Sequence, residues 1–326
     1  MKPLSPPPTP PGLWQRLLLN EDLNFLLTNR IPRAALTHAM GRFSRIRSPW
    51  LTRCSLAVWR WFTPLDLSDA AQTRFESLHD CFTRALKPGA RPFDPRPDWL
   101  CSPSDGIVGQ WGAIAGLTLL QAKGFPYTLP DLLGSDELAQ RYRDGQYLTL
   151  RLTSGMYHRF HAPADLTVER VTYISGDTWN VNPIALKRVQ RLFCKNERAV
   201  IETRLHARPA RMALVPVAAI LVASIRLHVA NVRLHLRYAG PNVIPCNARV
   251  QKGEEMGWFE HGSTLILLVP PGAQLAPGLA TGHTVRAGQP LWHWPVAQPH
   301  SPSAATAPVA SVVAPPCPAP IDGCGG

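Results

Sequence analysis

A glycine followed by a serine at the head of an apolar run, Gly262-Ser263-Thr264 before residues 265–269, places a hydroxyl where it can attack the carbonyl of the residue before it. Gly262 has no Cβ, so its backbone tolerates the strained geometry that such an attack needs. A serine hydroxyl is a poor nucleophile until a base takes its proton, and the base works best when a carboxylate holds its other nitrogen. Asp105, His161 and Ser263 could supply that set. His158 is a further imidazole, of a type that titrates near neutral pH and can exchange a proton with a reacting group. Read singly, these residues have plainer explanations. Gly-Ser-Thr is a common turn, Asp105-Gly106 is a frequent turn pair, and His158 could be hydrogen-bonded within a sheet. The spacing of His158 and His161 suits a metal pair, but no third ligand lies near them in sequence, so no metal is expected.

Such residues need a scaffold, and the chain offers two kinds of element. Helices are expected over 13–62 and again over 69–86, where Phe75, Leu78, Phe82 and Leu86 recur at intervals of three and four. From Cys101 onward, short runs bounded by Gly, Pro, Asn and Asp predict strands at 107–114, 147–152, 166–174, 199–205, 212–225, 229–238 and 265–269, with short helices at 129–133 and 136–142. The expected fold class is α+β: a helical, membrane-associating region at 13–90, then a β-rich, sandwich-like catalytic domain at 91–294. Of the 34 prolines in 326 residues, six fall in 1–12, and 295–326 is Pro, Ala, Ser and Gly with almost no charge. Neither end can bury enough apolar surface to pack, so both read as disordered tails.

The formal net charge is +12, and its placement says more than its size. Residues 30–62 hold seven arginines (Arg30, Arg33, Arg42, Arg45, Arg47, Arg53, Arg60) and no Asp or Glu, interleaved with Phe43, Ile46, Trp50, Trp59 and Trp61. On a helix this pattern suits the interface of an anionic bilayer, where each basic residue contributes on the order of 1 kcal/mol. An ordinary helical pair with its arginines in water, or a nucleic-acid patch, are the other readings. The apolar run 212–225 carries Pro216 and is shorter than the roughly 20 residues a spanning helix needs, so it reads as core strand. Leu17-Leu18-Leu19 is interrupted at once by Asn20-Glu21-Asp22, which argues against a secretory signal. Seven scattered cysteines without a C-x-x-C pair read as free thiols in a reducing compartment.

Several longer blocks resemble one family. Lys252-Gly253-Glu254-Glu255-Met256-Gly257-Trp258-Phe259 runs without a gap into Gly262-Ser263-Thr264, and the whole resembles the KGEEMG-x-F-x-x-GST block of phosphatidylserine decarboxylase proenzymes. Ser102-Pro103-Ser104-Asp105-Gly106 is similar to the P-A-D-G segment of that family, and Tyr157-His158-Arg159-Phe160-His161-Ala162-Pro163 to its Y-H-R-x-H-x-P segment. Gln121-Ala122-Lys123-Gly124, Phe193-Cys194-Lys195-Asn196-Glu197-Arg198 and Gly288-Gln289-Pro290-Leu291 follow the same order, so the resemblance spans about residues 65–293.

The resemblance implies that Asp105, His161 and Ser263 form a self-cleavage relay. The chain would be cut between Gly262 and Ser263 into 1–262 and 263–326, with Ser263 converted to a covalent pyruvoyl cofactor. A Schiff base on that group would decarboxylate phosphatidylserine to phosphatidylethanolamine, and His158 is associated with this second reaction. The implied partners are phosphatidylserine, an anionic membrane surface and the two chains as a heterodimer. An oligomer of that unit is expected and nucleic acid is not; the location would be peripheral, on the cytoplasmic side of the cell membrane. Lys123 and Lys252 are candidate phosphate contacts or plain solvated residues. Three positions depart from the family pattern: Ser104 for Ala, His261 for Leu, and Met156 where an acid often stands, a loss expected to weaken His161 and slow maturation. Two alternatives stay open. A pyruvoyl decarboxylase of a soluble amino acid has no need of the Arg/Trp-rich region, and a membrane-binding scaffold derived from the enzyme would not cleave.

Overall fold

Prolines break the N-terminal region into separate helices. The computed structural model describes residues 20–121, 125–221, 224–260 and 263–294, so both expected tails lie outside the described residues. Helix α1 (Glu21–Asn29) is capped by Asn20, whose Oδ1 accepts from the N–H groups of Asp22 and Leu23 at 3.0 Å each. Pro32 precedes α2 (Arg33–Phe43), and α3 (Pro49–Phe62) begins on a proline behind the cap residue Ser48. Proline lacks an N–H and disfavours helix in the residue before it, so it ends one helix and starts the next. The described part of the stretch expected as helical over 13–62 is therefore three helices.

These helices are polar inside and apolar outside. Asn29, Thr37, Ser44 and Thr52 are buried, while Leu26, Leu27, Leu36, Phe43, Ile46, Trp50, Val58 and Trp61 are exposed. The buried groups have partners: the Asn180 N–H donates to Asn29 Oδ1 and the Leu221 N–H to Thr37 Oγ1, both at 3.1 Å. Arg33 adds a two-pronged pair to Asp177. No helix among the described residues is long and apolar enough to cross a membrane.

The helix expected over 69–86 is short. Only α4 (Leu78–Phe82) forms, started by a capping box between Ser77 and Asp80. Before and after it, Ala70 and Leu86 form an antiparallel bridge. The spacing of Phe75, Leu78 and Phe82 correctly marks buried side chains, but the backbone between them is mostly a closed loop.

The remainder is largely antiparallel β-structure. In order come β1 (Trp99–Cys101), β2 (Gly106–Ala113), β3 (Thr118–Leu120), β4 (Pro126–Thr128), α5 (Leu129–Leu133), α6 (Asp136–Gln140), β5 (Gln146–Leu152), β6 (Arg159–His161) and β7 (Leu166–Ile174). Next are α7 (Pro183–Leu186), α8 (Leu192–Lys195), β8 (Arg198–Leu205), β9 (Arg211–Val217), β10 (Ile225–Leu227), β11 (Val232–Leu234), β12 (Val243–Val250), β13 (Glu255–Phe259) and β14 (Ser263–Val269). Last are β15 (Gln274–Leu275), β16 (Thr284–Val285) and β17 (Pro290–His293). An eight-stranded sheet runs β12-β7-β8-β9-β14-β5-β2-β16, and a four-stranded sheet runs β11-β10-β13-β6. The strand expected over 212–225 stops at Val217, and the one expected over 229–238 shrinks to β11, flanked by turns.

β14 is the strand that matters most for the chemistry. It pairs with β5 on one side and β9 on the other, and all seven of its residues are buried. Its continuous apolar run is what a central strand covered on both faces requires.

Candidate active site

Ser263 opens β14, opposite Leu152 of β5. It is fully buried, and neither its hydroxyl nor that of Thr264 has a hydrogen-bond partner among the described residues. Leaving a buried hydroxyl unpaired costs about 1–3 kcal/mol, and such a group calls for an explanation, of which a chemical role is one and an ordered water another. His261 and Gly262 lie outside the described residues.

The second sheet brings the histidines to this segment. The Phe259 N–H, in the strand leading to Gly262-Ser263, donates to the His158 carbonyl at 3.0 Å. The His158 ring is fully buried and meets Phe82 edge-on at 6.0 Å between centroids. Neither ring nitrogen makes a hydrogen bond of normal geometry. Burial, helped by the nearby Arg84 guanidinium, pushes its pKa down to about 3. The titration near neutrality expected of this residue therefore does not occur here: His158 is a neutral imidazole at physiological pH.

His161 ends β6. Its Nδ1 lies 2.9 Å from the Gly253 carbonyl and its Nε2 2.9 Å from the Tyr157 hydroxyl. A carbonyl can only accept, so Nδ1 carries the hydrogen and Nε2 accepts from Tyr157. The Tyr157 ring also stacks on the imidazole, with centroids 5.7 Å apart. Burial lowers the His161 pKa, against the opposing pull of the Gly253 carbonyl. The ring is thus held as a base, by a backbone carbonyl rather than by a carboxylate.

Asp105 stands just before β2. Arg91 donates to it twice, from Nε at 2.8 Å and from Nη2 at 2.6 Å, and the Ala287 N–H donates at 2.9 Å. Arg91 also pairs with Asp69 at 2.9 Å, and these bonds, those it donates to Asp105 foremost, raise its pKa further. No side-chain hydrogen bond joins Asp105 to His161, or either of them to Ser263. A cavity of about 390 Å³ does gather Asp105, Arg91, Arg84, Met156 and Tyr157, and the charge of Asp105 favours protonation of His161. Arg84 is buried and donates to the Cys81 and Gly155 carbonyls at 3.0 Å each, while its Nε has no partner.

Arg159 has the carboxylate partner its type suggests, Glu255 at 2.8 Å. Lys252 does not reach outward for phosphate. Its Nζ donates to the Arg96 and Trp99 carbonyls at 2.8 Å each and ties the loop before β13 to β1. Lys123 lies outside the described residues. Sequence reasoning missed Arg91 and the Gly253 carbonyl. Arg91 sits in a Pro-rich stretch with no motif, and a carbonyl leaves no trace in residue type. Tyr157 was visible inside its block, but not as the partner of His161.

Comparison with known proteins places this geometry in context. A sequence model of the family described as phosphatidylserine decarboxylase matches residues 78–293. The chain is 38% identical over 288 residues to a phosphatidylserine decarboxylase proenzyme of Anaeromyxobacter sp. (strain K), covering 84% of this chain and 99% of that protein. It is 35% identical over 273 residues to the proenzyme of Brevibacillus brevis, covering 81% and 95%. Against the proenzyme of Vibrio cholerae the figure is 37% over 279 residues, covering 81% and 95%.

Proposed function

The chain belongs to the phosphatidylserine decarboxylase family, and from that premise we propose how its own residues serve the reaction. It is a carboxy-lyase, made as a proenzyme, that converts phosphatidylserine to phosphatidylethanolamine and carbon dioxide. The observation that carries the assignment of the reacting residue is the buried, unpaired hydroxyl of Ser263 at the head of the central strand.

In self-processing, Ser263 Oγ attacks the Gly262 carbonyl carbon and its proton passes to His161. The peptide C–N bond breaks, the amine takes the proton, and an ester remains. Loss of the Ser263 α-proton expels the Gly262 carboxylate, and hydrolysis of the resulting enamine releases ammonia and leaves a pyruvoyl group on chain 263–326. His161 acts through Nε2, so the Tyr157 hydroxyl turns away as Ser263 reacts, and Asp105 supports the imidazolium by its charge. A pyruvoyl ketone supplies an electron sink for the bond pair released with carbon dioxide. The site suits such a group: β5 and β9 clamp the chain that carries it, and among the described residues no donor or acceptor competes for the Ser263 oxygen. His158, neutral and unpaired, is assigned to proton return.

The outward apolar faces of α1–α3 support docking on a membrane from one side, peripherally and by the cytoplasmic face. Trp50 is 74% exposed and Trp61 82%, and Arg47 and Arg53 of the same stretch of chain are exposed too. A decarboxylase of a soluble amino acid has no use for that surface.

Intact mass of the purified protein beside a Ser263→Ala variant tests the assignment. The expected result is two chains broken after Gly262, the smaller with a pyruvoyl-mass N-terminus, and one chain in the variant. A single uncut chain in both would instead support a non-cleaving scaffold.

A further inference from the structure

A second cavity, of about 180 Å³, lies where α2 meets the segment after β11 and the end of the β13 segment. It is lined by His38, Arg42, Arg45, Arg233, Arg237 and Glu260, among other residues. Glu260 is the sole carboxylate in this lining, and it is already taken, since it accepts from Arg45 Nη2. Arg42, Arg233 and Arg237 are exposed and make no ion pair among the described residues. Three arginines without an ion pair among the described residues thus line one small concave space. Held in place only to face water, they would repel one another; an anion with several oxygens relieves that repulsion and matches their forked donors.

Two features of position say which anion. The cavity is walled by α2, which carries the exposed Phe43 and leads directly to exposed Ile46, so it opens beside the apolar surface on which a lipid would enter. Its other wall ends at Glu260, three residues before Ser263, and three residues of extended chain span at most about 10–11 Å. In a serine phospholipid the phosphorus is joined to the amine-bearing carbon through one methylene and one ester oxygen. With its phosphate toward the arginines, such a headgroup would extend its amine-bearing carbon along the segment that leads from Glu260 to residue 263.

We propose that this cavity holds the phosphodiester of the phosphatidylserine headgroup, with Arg42, Arg233 and Arg237 as its donors. The assignment rests on the decarboxylase reading and adds the lipid-recognition site that the Ser263 chemistry leaves open.

The test uses the full-length, self-processed protein, an Arg233→Gln/Arg237→Gln double variant and, separately, Arg42→Gln. Complete cleavage into two chains, seen by intact mass, shows first that each variant folds. Turnover is then measured on short-chain phosphatidylserine below its micelle concentration, where no surface is present. The expected result for the double variant is a KM raised about tenfold or more, with kcat within about twofold of wild type. Inorganic phosphate should compete with substrate in the wild-type protein and lose that effect in the variant. An unchanged KM with weaker binding to anionic vesicles overturns the proposal and makes the arginines a membrane-surface patch. An unchanged KM with lost binding of inorganic phosphate also overturns it, because the cavity then serves another phosphate. Wild-type protein that cleaves itself but decarboxylates no phosphatidylserine overturns the decarboxylase reading as well, and so is distinguishable from failure of the cavity assignment alone.

Discussion

A fully buried imidazole without a hydrogen bond of normal geometry ties the stability of the fold to acid. Folded His158 has its pKa pushed down to about 3, whereas an unfolded histidine titrates near 6.5. As pH falls below about 6.5 the unfolded chain takes up the proton first. The stability is therefore intact above that pH and is lost progressively toward pH 3, by an amount on the order of 5 kcal/mol. Urea unfolding at a series of pH values should show this acid limb in an uncleaved Ser263→Ala background and a flatter one when His158→Phe is added. Because the ring is neutral throughout the working range, His158→Asn should lower kcat in the mature enzyme without moving its pH profile; a shifted profile would count against proton return by a neutral ring. Arg84 offers a second test, since its Nε is unpaired and it shares a cavity with Met156. Met156→Asp would give it a carboxylate partner and should shorten the half-life of the precursor, followed by gel; a variant that matures no faster removes this explanation for slow maturation. Ser263, Asp105 and the two histidines were legible as candidates because each sits in a contiguous block. Their partners were not, because Arg91 reaches Asp105 across 14 positions and Gly253 reaches His161 across 92, and such approaches are set by packing.

Among the elements, the N-terminal helices give the most direct prediction. Trp50 and Trp61 lie at opposite ends of α3 and both face outward. Replacing either by Glu should lower partition onto anionic vesicles by roughly tenfold, read by flotation, because burial of a large apolar side chain is worth about 1.5–3 kcal/mol. The paired strands β7 and β8 carry a pH response of opposite sense to that of His158. Glu197, just before β8, accepts from the Tyr173 hydroxyl at 2.9 Å, while its Oε2 has no partner. Burial raises its pKa to about 7, against that hydrogen bond. The unfolded carboxyl loses its proton near 4.5 and the folded one only near 7, so stability falls as pH rises through that window and then levels off. The effect is on the order of 3 kcal/mol, and Glu197→Gln should abolish it in calorimetric scans at pH 5 and 8. Regular elements were the legible ones: β7 and α5 lie where the apolar runs and turn residues placed them. β12 escaped notice because Pro245 and Asn247 interrupt it, and its exposure alternates as an edge strand's does. The three helices were legible as helical, but apolar side chains facing away from the core were only one of several open readings until Asn29 and Thr37 were seen buried.

At the scale of the whole molecule, an excess of twelve positive charges favours approach to an anionic surface, an attraction that salt screens within about a Debye length. Vesicle binding should therefore weaken from low to physiological ionic strength, while turnover of a soluble short-chain substrate changes little. The position of Ser263 has a further consequence. The proposed cut falls just before a strand paired on both sides, so maturation there would leave the partners of β14 in place and change only how the strand is connected to the rest. Before the cut, recovery from urea is a first-order event of one chain. After it, the sheet closes only when two separate polypeptides meet, so recovery becomes second order, and the midpoint of reversible unfolding depends on protein concentration. The Ser263→Ala precursor should regain its fold at a rate indifferent to dilution, and the processed enzyme should not. Self-processing thus gives the protein a history: the connected chain is what assembles the sheet, and the working enzyme inherits an arrangement that it can no longer rebuild alone.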